Sequence, residues 1–178
     1  MNSKHFQLKP EDERRSAAVS FNKRNTIISL SSRGYGKTHF VRVPIKKGEI
    51  VFQCYGSPLK NQTSRYSIQI SDNQHILPGH WTGRFLNHSC KPCTYARSNS
   101  DGFVELVALR KLEVGEEVTY AYWMTEFDWI ESADELSLPC LCMSHDCKGR
   151  IRSFSQLSAS EKRKVQKSGH CSDHLLHV

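Results

Sequence analysis

The sequence predicts a mostly β fold with short helices. Runs of β-branched and aromatic residues are short, glycines or other turn residues separate them, and no long amphipathic helical pattern occurs before residue 155. Short runs of this kind are typical of strands joined by tight turns. Strand and helix patterns do not alternate, which argues against a parallel α/β sheet. We therefore expect a body built of many short strands.

The predicted strands follow one another closely from Asn25 onward. The pattern predicts a strand pair in residues 65–78 with "SDN" as its turn, and it places a turn at Gly115 before the last strand. Residues 1–24 are charged and only weakly periodic, so we expect a loose arm or an edge strand there. The other predicted strands lie in residues 25–32, 38–45, 49–56, 102–110 and 112–123.

The C-terminal part carries one predicted helix, in residues 157–170. Ser158 and Glu161 have the spacing of a capping box, and Gly169 supplies a stop. The final segment "GHCSDHLLH" has Cys and His at a spacing that could bind metal, but we expect a disordered or merely polar tail. The predicted parts are an N-terminal arm (1–24), a main domain (25–125), an acidic linker (126–139), a cysteine motif (140–152), and a basic helix with its tail (153–178).

The composition indicates an intracellular protein, in the nucleus or the cytoplasm. Hydrophobic residues make up 38% of the 178 residues, enough for one core, and no apolar run approaches the ~20 residues of a membrane helix. Residues 1–16 are polar and charged, unlike a secretory signal. The seven cysteines are an odd number, so we expect reduced, metal-binding thiols rather than a disulfide framework.

Positive charge is concentrated near the C-terminus. Residues 148–169 contain seven of the 25 Lys and Arg residues but only one of the 18 acids. A basic segment fits nucleic acid or another acidic partner, whereas the alternative that we favour is a solvated helix face. Contact with nucleic acid therefore stays open, and no membrane partner is expected.

The clearest candidate metal site is a cysteine cluster. Cys140, Cys142 and Cys147 form the pattern C-x-C-x4-C. Three thiolates within eight residues can bind one Zn2+, because zinc takes tetrahedral sulfur ligands at about 2.3 Å. A structural site needs a fourth ligand, and His145 inside the loop has poor local geometry for that role. The distant candidates are Cys90, Cys93 and Cys171.

The stretch "RFLNHSCKPC" at 84–93 offers several kinds of chemistry. His88 and Cys90 could be a base and a nucleophile, but no oxyanion signature accompanies them, and such partners usually come from distant segments. "RGYGK" at 33–37 contains Gly-x-Gly without a third glycine or a Walker lysine, so neither a Rossmann nor a P-loop site is predicted. Two glycines around an aromatic residue do let the backbone approach a ligand closely.

Four segments together resemble the motifs of SET-domain protein-lysine methyltransferases with a post-SET zinc motif. "RGYGK" resembles the first motif, "RFLNHSCKPC" the second, "GEEVTYAY" at 115–122 the third, and "CLCMSHDC" at 140–147 the post-SET motif. Their order and spacing match, and the resemblance covers about 33–152. It implies a SET-domain fold in which residues 84–93 pass beneath 115–122 in a pseudoknot. It also implies that S-adenosylmethionine binds on one face and lysine enters a channel from the other.

The resemblance implies roles for individual residues. Asn87 and His88 would bind S-adenosylmethionine, and S-adenosylhomocysteine would be the product. The ligands of a structural Zn2+ would be Cys90, Cys140, Cys142 and Cys147. The residues expected at the cofactor are Arg33, Gly34, Tyr35, Gly36, Tyr66, Arg84, Phe85, Asn87, His88, Tyr122, Phe127, Trp129, Cys140 and Leu141.

Three tyrosines are the expected catalytic residues. Tyr122 matches the family's catalytic tyrosine, and Tyr120 matches the position linked to the number of methyl groups added. Because they lie two residues apart on a predicted strand, their hydroxyls would face one pocket. Tyr66 resembles another channel tyrosine. A tyrosine at 120 leaves less room for further methyl groups, so we expect mono- or dimethylation.

The expected substrate is a lysine-containing protein or peptide, with a histone as one candidate. Phe127 and Trp129 resemble the aromatic segment that closes over cofactor and channel, and the five acids in 126–135 would make the channel rim negative or belong to a solvated loop. Two alternatives stay open: a methyltransferase for a free amino acid, peptide or small amine, and a non-catalytic zinc-stabilised interaction module. Cys93 departs from the family's Asn, at a mainly structural position.

Overall fold

The structure is a computed structural model that describes residues 11–61, 64–128 and 139–178. Within these ranges the predicted fold class, mostly β with short helices, is confirmed. The helices are α1 (Glu11–Asn25), α2 (Ala159–Ser168) and the 3₁₀ helices Tyr122–Met124 and Asp173–Leu175. The strands are β1 (Thr26–Leu30), β2 (Lys37–Val41), β3 (Ile50–Gln53), β4 (Gly56–Leu59), β5 (Ile68–Ser71), β6 (Gln74–Pro78), β7 (Asn87–His88), β8 (Thr94–Ser98), β9 (Val104–Ala108) and β10 (Thr119–Tyr120).

The described strands form four small sheets. β1 and β2 are an antiparallel pair, whereas β3, β9 and β8 form one antiparallel sheet and β4, β6 and β5 another. The predicted pair in residues 65–78 is confirmed as β5 and β6. All five residues of β9 are buried, which explains its continuous apolar sequence.

A parallel pair of short strands forms the fourth sheet and positions the candidate site. In this pair, β7 and β10, Asn87 lies opposite Thr119 and His88 lies opposite Tyr120. The backbone N–H of Ser89 also donates to the carbonyl of Tyr120 over 3.1 Å. The second and third motifs therefore lie side by side although all of β8 and β9 separates them in sequence, as the expected pseudoknot requires.

The first described helix corrects a prediction. We expected a loose arm or an edge strand in residues 1–24, but Glu11–Asn25 forms α1, and residues 1–10 lie outside the described residues. Ala18 and Asn22, one helical turn apart, are its buried side chains among those described. A helix that buries so small a face has no apolar stripe, so periodicity could not reveal it.

Asn22 fastens α1 to the edge of a sheet. Its side-chain amide donates to the carbonyl oxygens of Gln53 and Trp81, each over 2.8 Å, and its Oδ1 accepts the N–H of Gln53 over 2.8 Å. Asn22 is fully buried, so these bonds satisfy polar groups that would otherwise be costly to remove from water. A polar residue thus takes the anchoring role that an apolar side chain usually has.

One hydrophobic core connects the sheets to the C-terminal part of the chain. The largest fully buried side chains come from several sheets and, after β10, from Phe154 and Leu175. In the part of the chain that the structure covers, no helix is long and apolar enough to cross a membrane. The core includes Val41, Val51, Phe52, Ile76, Leu106, Leu112, Val118, Phe154 and Leu175.

The predicted C-terminal helix is confirmed as α2. The Ser158 hydroxyl accepts the N–H of Glu161, and the Glu161 carboxylate accepts the N–H of Ser158, which completes the capping box. Gly169 ends the helix with a φ of 65°, in the left-handed region that favours glycine.

The segment after α2 is not the disordered or polar tail that we expected. Cys171 is 1% exposed and Leu175 is fully buried. The N–H of Ser172 donates to the carbonyl of Met124 over 2.8 Å, and His174 Nε2 lies 3.0 Å from the carbonyl of Thr125. The prediction was wrong because the few apolar residues are interleaved with polar ones, and only their tertiary contacts show that they complete the core.

Candidate active site and metal centre

Four cysteine sulfur atoms meet beside β7. The Sγ atoms of Cys90, Cys140, Cys142 and Cys147 all lie within 4.8 Å of one another. Cys90 Sγ and Cys140 Sγ are 3.7 Å apart. Four sulfurs at about 2.3 Å from a central Zn2+ would be about 3.8 Å apart, so this donor set fits one tetrahedral zinc ion. Cys90 is thus the residue that the structure brings to the predicted three-cysteine motif.

The other candidate ligands lie elsewhere. His145 has a side chain that is 96% exposed, and its Nδ1 faces the Asp146 carboxylate at 3.2 Å. Cys171 is buried in the C-terminal segment, outside the cluster. The backbone N–H of Lys148 donates to Cys90 Sγ over 3.5 Å and that of Gly149 donates to Cys147 Sγ over 3.4 Å, so the chain directly after the motif is bonded to two of the four sulfurs.

Cys93 has a structural role instead of a metal-binding one. It is 5% exposed, and its thiol donates to the carbonyl of Glu117 over 3.3 Å. Its sulfur accepts the N–H of Thr119 over 3.4 Å, and its own N–H donates to the Thr119 hydroxyl over 3.3 Å. Cys93 therefore cross-links the second and third motifs through hydrogen bonds, at the position where it departs from the family's Asn.

The loop that contains Gly34, Tyr35 and Gly36 presents its aromatic residue to a carboxylate. Gly34 and Gly36 have φ angles of 81° and 90°, in the region that favours glycine. The Tyr35 hydroxyl donates to Glu117, whose two oxygens both lie at 2.7 Å. Burial and this bond together raise the pKa of Tyr35 to about 12. The loop is therefore fixed by its contact with the third motif.

Glu117 joins three of the predicted cofactor residues, yet sequence reasoning missed it. Besides Tyr35, it receives the Asn87 side-chain amide at 3.4 Å and lies 3.9 Å from Arg33 Nε. The Arg33 guanidinium also donates to the carbonyl of Cys142 over 2.9 Å, so the first motif contacts the cysteine cluster. The available signal was the place of Glu117 in the third motif, beside the strand that pairs with Asn87.

His88 connects the expected catalytic tyrosine to the cysteine cluster. The N–H of Tyr122 donates to Nδ1 of His88 over 3.2 Å, and the two rings meet edge to face at 5.3 Å. Because Nδ1 accepts, the neutral ring carries its proton on Nε2, which lies 3.4 Å from Cys90 Sγ. Burial lowers the pKa of His88 to about 4, so the ring is neutral at physiological pH.

Tyr120 and Tyr122 lie side by side, although not on one strand. β10 ends at Tyr120, and Tyr122 begins a 3₁₀ helix, which corrects the predicted strand geometry. Their ring centroids are nevertheless 5.2 Å apart. The Tyr122 hydroxyl donates to the carbonyl of Leu86 over 3.0 Å. Burial raises the pKa of both phenols, so both are protonated at physiological pH.

Tyr66 and Arg84, both predicted at the cofactor, contact each other. The Arg84 guanidinium lies 4.3 Å from the centroid of the Tyr66 ring, a distance typical of cation–π attraction. Arg65 donates to the Tyr66 hydroxyl over 3.1 Å. The neighbouring Phe85 packs against His80, with ring centroids 5.0 Å apart. These contacts form an aromatic and cationic group around the start of the second motif.

The remaining predicted cofactor residues are more exposed. Phe127 is 39% exposed and Leu141 is 50% exposed. The backbone of Phe127 is fixed by a 2.8 Å bond from its N–H to Gln69 Oε1, and that of Cys140 by a 3.0 Å bond to the carbonyl of Gly149. Trp129 lies outside the described residues.

The expected acidic rim is incorrect for one of its five acids. Glu126 is 2% exposed and lies in the interior, whereas Asp128 is exposed. Glu131, Asp134 and Glu135 lie outside the described residues. The charge pattern predicted a solvated or rim position because sequence alone does not reveal that the chain turns inward directly after the 3₁₀ helix.

A basic pocket of about 240 Å³ has His88 and Cys90 in its wall. Within the described residues, its one acid, Glu161, is paired with Arg152 at 2.7 Å. Among the predicted cofactor residues, only His88 lines this pocket. Its walls are formed by His88, Cys90, Trp123, Lys148, Arg150, Arg152, Leu157, Glu161, Lys164 and Val165.

A comparison with protein-family models identifies the family to which the chain belongs. A family model described as "SET domain" matches residues 10–123. The chain belongs to the SET-domain family. The match includes α1, the three motifs and the parallel pair of β7 and β10, and it ends just after Tyr122.

Curated proteins with similar sequences are named histone-lysine N-methyltransferases. Histone-lysine N-methyltransferase ash1 of Drosophila melanogaster is 29% identical over 144 residues, which are 71% of this chain and 6% of that protein. The enzymes of Emericella nidulans and Aspergillus oryzae named "H3 lysine-4 specific" are 34% and 43% identical. They cover 62% and 48% of this chain, which spans 10% and 7% of their lengths. The chain therefore spans a tenth or less of these relatives.

A solved structure shares the fold of this SET domain. The structure described as KRYPTONITE in complex with mCHH DNA, H3(1-15) peptide and SAH superposes with a TM-score of 0.59. The sequences are 24% identical, and the match covers 72% of this chain and 29% of the other. At this identity the likeness shows the fold alone.

Proposed function

We propose that this SET domain transfers a methyl group from S-adenosylmethionine to the ε-amine of a lysine side chain in a protein. The observation that carries the proposal is the bond between Tyr122 and His88, which holds the expected catalytic tyrosine against an expected cofactor residue. The names of the curated relatives support the same reaction.

Residues of three motifs would form the cofactor site. S-adenosylmethionine supplies a methyl group activated on a sulfonium ion when it is bound. The loop around Tyr35 would hold its methionine end, while Asn87 and His88 would contact the rest. Glu117 keeps Tyr35 and Asn87 in place and offers a carboxylate to a cationic ligand. Arg84 and Tyr66 would close another side.

The two tyrosines would act on the amine and on the methyl group. The lysine must be neutral to attack, although a free lysine side chain titrates near ~10.4. A pocket lined by buried phenols lowers that pKa, because desolvation disfavours the charged form. Tyr122, whose hydroxyl is tied to the carbonyl of Leu86, would orient the reacting groups, and aromatic faces would stabilise their positive charge. Tyr120 would hold the amine and restrict the space for added methyl groups, giving mono- or dimethyllysine.

Zinc would secure the segment that follows the catalytic tyrosine. The four sulfurs join residues 140–147 to Cys90, two residues beyond His88 in the second motif. Arg33 reaches the same cluster through the carbonyl of Cys142. A structural Zn2+ at these sulfurs would therefore hold the first, second and post-SET motifs together around the cofactor.

We propose a histone as the substrate and the nucleus as the location. The curated fungal relatives are named for lysine 4 of histone H3, and the solved relative is described as a complex that includes an H3(1-15) peptide. Histone tails are cationic, and the Glu117 carboxylate beside Tyr35 and Asn87 provides negative charge at the site. Other lysine-containing proteins are the alternative within the same reaction.

The proposal is tested by binding and by product analysis. Calorimetry with S-adenosylmethionine should detect binding by the wild-type protein and by Tyr122→Phe, because the hydroxyl is needed for orientation more than for affinity. Mass spectrometry with an isotopically labelled methyl donor should show labelled lysine on histone H3 with the wild type and at least tenfold less with the variant. A tenfold loss corresponds to ~1.4 kcal/mol in the barrier.

The same experiment separates the alternatives. A protein that does not bind S-adenosylmethionine would be a non-catalytic zinc-stabilised module. A protein that binds the cofactor but labels only free amino acids, small peptides or amines in a lysate would be a small-molecule methyltransferase. Either result contradicts protein lysine methylation.

We propose nucleic acid as a second partner beside the histone substrate, because the surface near the C-terminus is basic. Lys148, Arg150 and Lys164 have no carboxylate within 4.0 Å among the described residues. Binding to duplex DNA should therefore weaken steeply with salt. Unchanged binding after Lys148→Glu and Lys164→Glu would contradict this surface as the contact.

A further inference from the structure

Glu126 is a buried carboxylate whose backbone N–H donates to the carbonyl of Tyr122 over 2.9 Å, and none of the roles described so far involves it. Its Oε1 accepts the N–H of Gln69 over 2.9 Å and the hydroxyl of Thr125 over 3.1 Å. Its Oε2 has no hydrogen-bond partner among the described residues and lies 3.7 Å from Nε2 of His75. A carboxylate buried with one oxygen unpaired is costly, so its presence calls for a physical reason.

Thr125 connects Glu126 to the lysine side of the site. The Thr125 side chain is a hydrogen-bond partner of the Tyr120 phenol and lowers its pKa, whereas burial, which has the largest effect, and then the charges of Tyr122 and Glu126 raise that pKa. The same Thr125 hydroxyl donates to Glu126. The oxygens of Tyr120, Thr125 and Glu126 thus form a continuous row from the proposed amine position to a buried base.

The groups that face Glu126 do not neutralise it. His75 of β6 lies 3.7 Å from Oε2, His174 of the last 3₁₀ helix lies 3.0 Å from the neighbouring Thr125 carbonyl, and burial lowers the pKa of both rings. Each histidine has an Nδ1 without a hydrogen-bond partner in the described structure. Tyr122 adds a neutral phenol, and no Lys or Arg of the described residues lies within 4.0 Å of the carboxylate.

This environment suits a proton acceptor. Burial raises the pKa of Glu126 to about 7, and the bonds from Gln69 and Thr125 lower it only in part. A base whose pKa lies near physiological pH is partly ionised there and can both take and release a proton. By contrast, Glu105 is also buried but is bonded to Arg97 at 3.1 Å.

We propose that Glu126 accepts the proton that the substrate's ε-ammonium group loses before methyl transfer, an inference that rests on the proposed lysine methylation. The N–H bond breaks, and its electron pair stays on nitrogen as the lone pair that attacks the methyl group. The proton passes to the Tyr120 oxygen while Tyr120 gives its own proton to Thr125 and Thr125 gives its proton to Oε1. The carboxylate becomes a carboxylic acid, and it later returns the proton to solvent through His75, which is 9% exposed.

The test compares the pH dependence of kcat on a histone H3 peptide for four proteins. Glu126→Gln removes the base but keeps the shape, and Thr125→Val breaks the row of hydroxyls but keeps the base. At pH 7 we expect each variant to be at least tenfold slower than the wild type. The deficit should shrink towards onefold near pH 9.5, because free amine then forms without the base. Glu105→Gln is the matched control and should stay within twofold of the wild type at every pH.

The outcomes separate this inference from the proposed function. A deficit of constant size across the pH range would mean a structural role, and a folded Glu126→Gln protein with wild-type rates would mean that water takes the proton; both results overturn the inference while the methyl transfer stands. No turnover by the wild type would overturn the proposed function itself. A ¹³C NMR titration adds an independent check without substrate, since a Glu126 midpoint near the ordinary value of 4.5 would also overturn the inference.

Discussion

The backbone N–H of Tyr122 donates to Nδ1 of His88 over 3.2 Å, and Nε2 of the same ring lies 3.4 Å from Cys90 Sγ. One imidazole thereby connects the expected catalytic tyrosine, the second motif and the metal cluster. The parallel pairing of His88 with Tyr120 holds this arrangement in register. The geometry of the site therefore depends on His88, which accepts a hydrogen bond from Tyr122 and also lines the basic pocket.

His88→Ala should weaken both stability and cofactor binding. The variant removes the Nδ1 acceptor of the Tyr122 N–H and the edge-to-face ring contact, which costs about 1–3 kcal/mol in the free energy of unfolding. Denaturant unfolding and calorimetry with S-adenosylmethionine would measure the two effects. His145→Ala, at an exposed position, is the control and should match the wild type. Wild-type stability of His88→Ala would show that the bond has little energetic value.

Tyr120→Phe should shift the products towards higher methylation. Removing the hydroxyl frees space beside the amine, so the ratio of products shifts towards di- and trimethyllysine, while the overall rate at pH 7 falls because the proton path through Tyr120 is broken. Mass spectrometry of histone H3 peptides would give the ratio of mono-, di- and trimethyllysine. Tyr95→Phe provides a control, because it removes another tyrosine hydroxyl, on a ring that stacks on His170 with the ring centroids 4.1 Å apart. An unchanged ratio would rule out this role for Tyr120.

One zinc ion per chain should be found, and Cys147→Ala should lose it. The three remaining sulfurs leave the tetrahedral site incomplete, which lowers affinity for the metal. Elemental mass spectrometry would measure the stoichiometry, and a chelator should lower methyl transfer as well as local order. Full activity after complete removal of zinc would contradict the proposed link between cluster and site.

Cys93→Ala serves as the matched control for the metal. It should keep one zinc per chain but lose about 1–3 kcal/mol in the free energy of unfolding, because the N–H of Thr119 and the carbonyl of Glu117 lose their partner. Loss of zinc from this variant would reverse the assignment of Cys90 and Cys93.

Leu175→Ala should destabilise the protein by about 2–5 kcal/mol, as expected when a fully buried leucine is truncated. Val178→Ala changes an exposed residue three positions later and should stay within about 0.5 kcal/mol of the wild type. Chemical denaturation would compare the two. Equal and small effects would show that the C-terminal segment is not part of the cooperative core.

Glu126→Gln should stabilise the protein increasingly as the pH rises. The folded-state pKa of Glu126, about 7, lies above its ordinary value of 4.5, so its contribution to stability is full below about pH 4.5 and is lost as the pH rises through 7. Gln does not titrate, and the difference from the wild type should grow by up to about 3 kcal/mol across this window. Denaturation at pH 4.5, 6 and 8 would measure it. A difference that does not change with pH would place the pKa of Glu126 in the ordinary range.

The motif residues and most strands could be predicted from the sequence because their signals are local. Alternating β-branched residues and turns located β5 and β6, and the spacing of Ser158 and Glu161 located α2. The resemblance to SET domains brought Cys90 to the other three cysteines, which no local pattern could decide. These features depend on residues that are close in sequence or on a motif with a known partner.

The parts that were missed depend on tertiary contacts. Glu117 gains its importance only when the first and second motifs fold against it. Glu126 resembles its acidic neighbours in sequence and differs only by being enclosed. The burial of Leu175 and the anchoring of α1 by Asn22 likewise arise between distant segments, where charge and periodicity carry no information.

The parallel pairing of β7 with β10 also has a kinetic consequence. β8 and β9 lie between the two strands in sequence, so the pairing closes a long loop at a large entropic cost. Contacts between residues that are distant in sequence form slowly. We expect this pairing to form late and to limit the refolding rate. The registry on which the whole site depends would then be among the last features that the chain acquires.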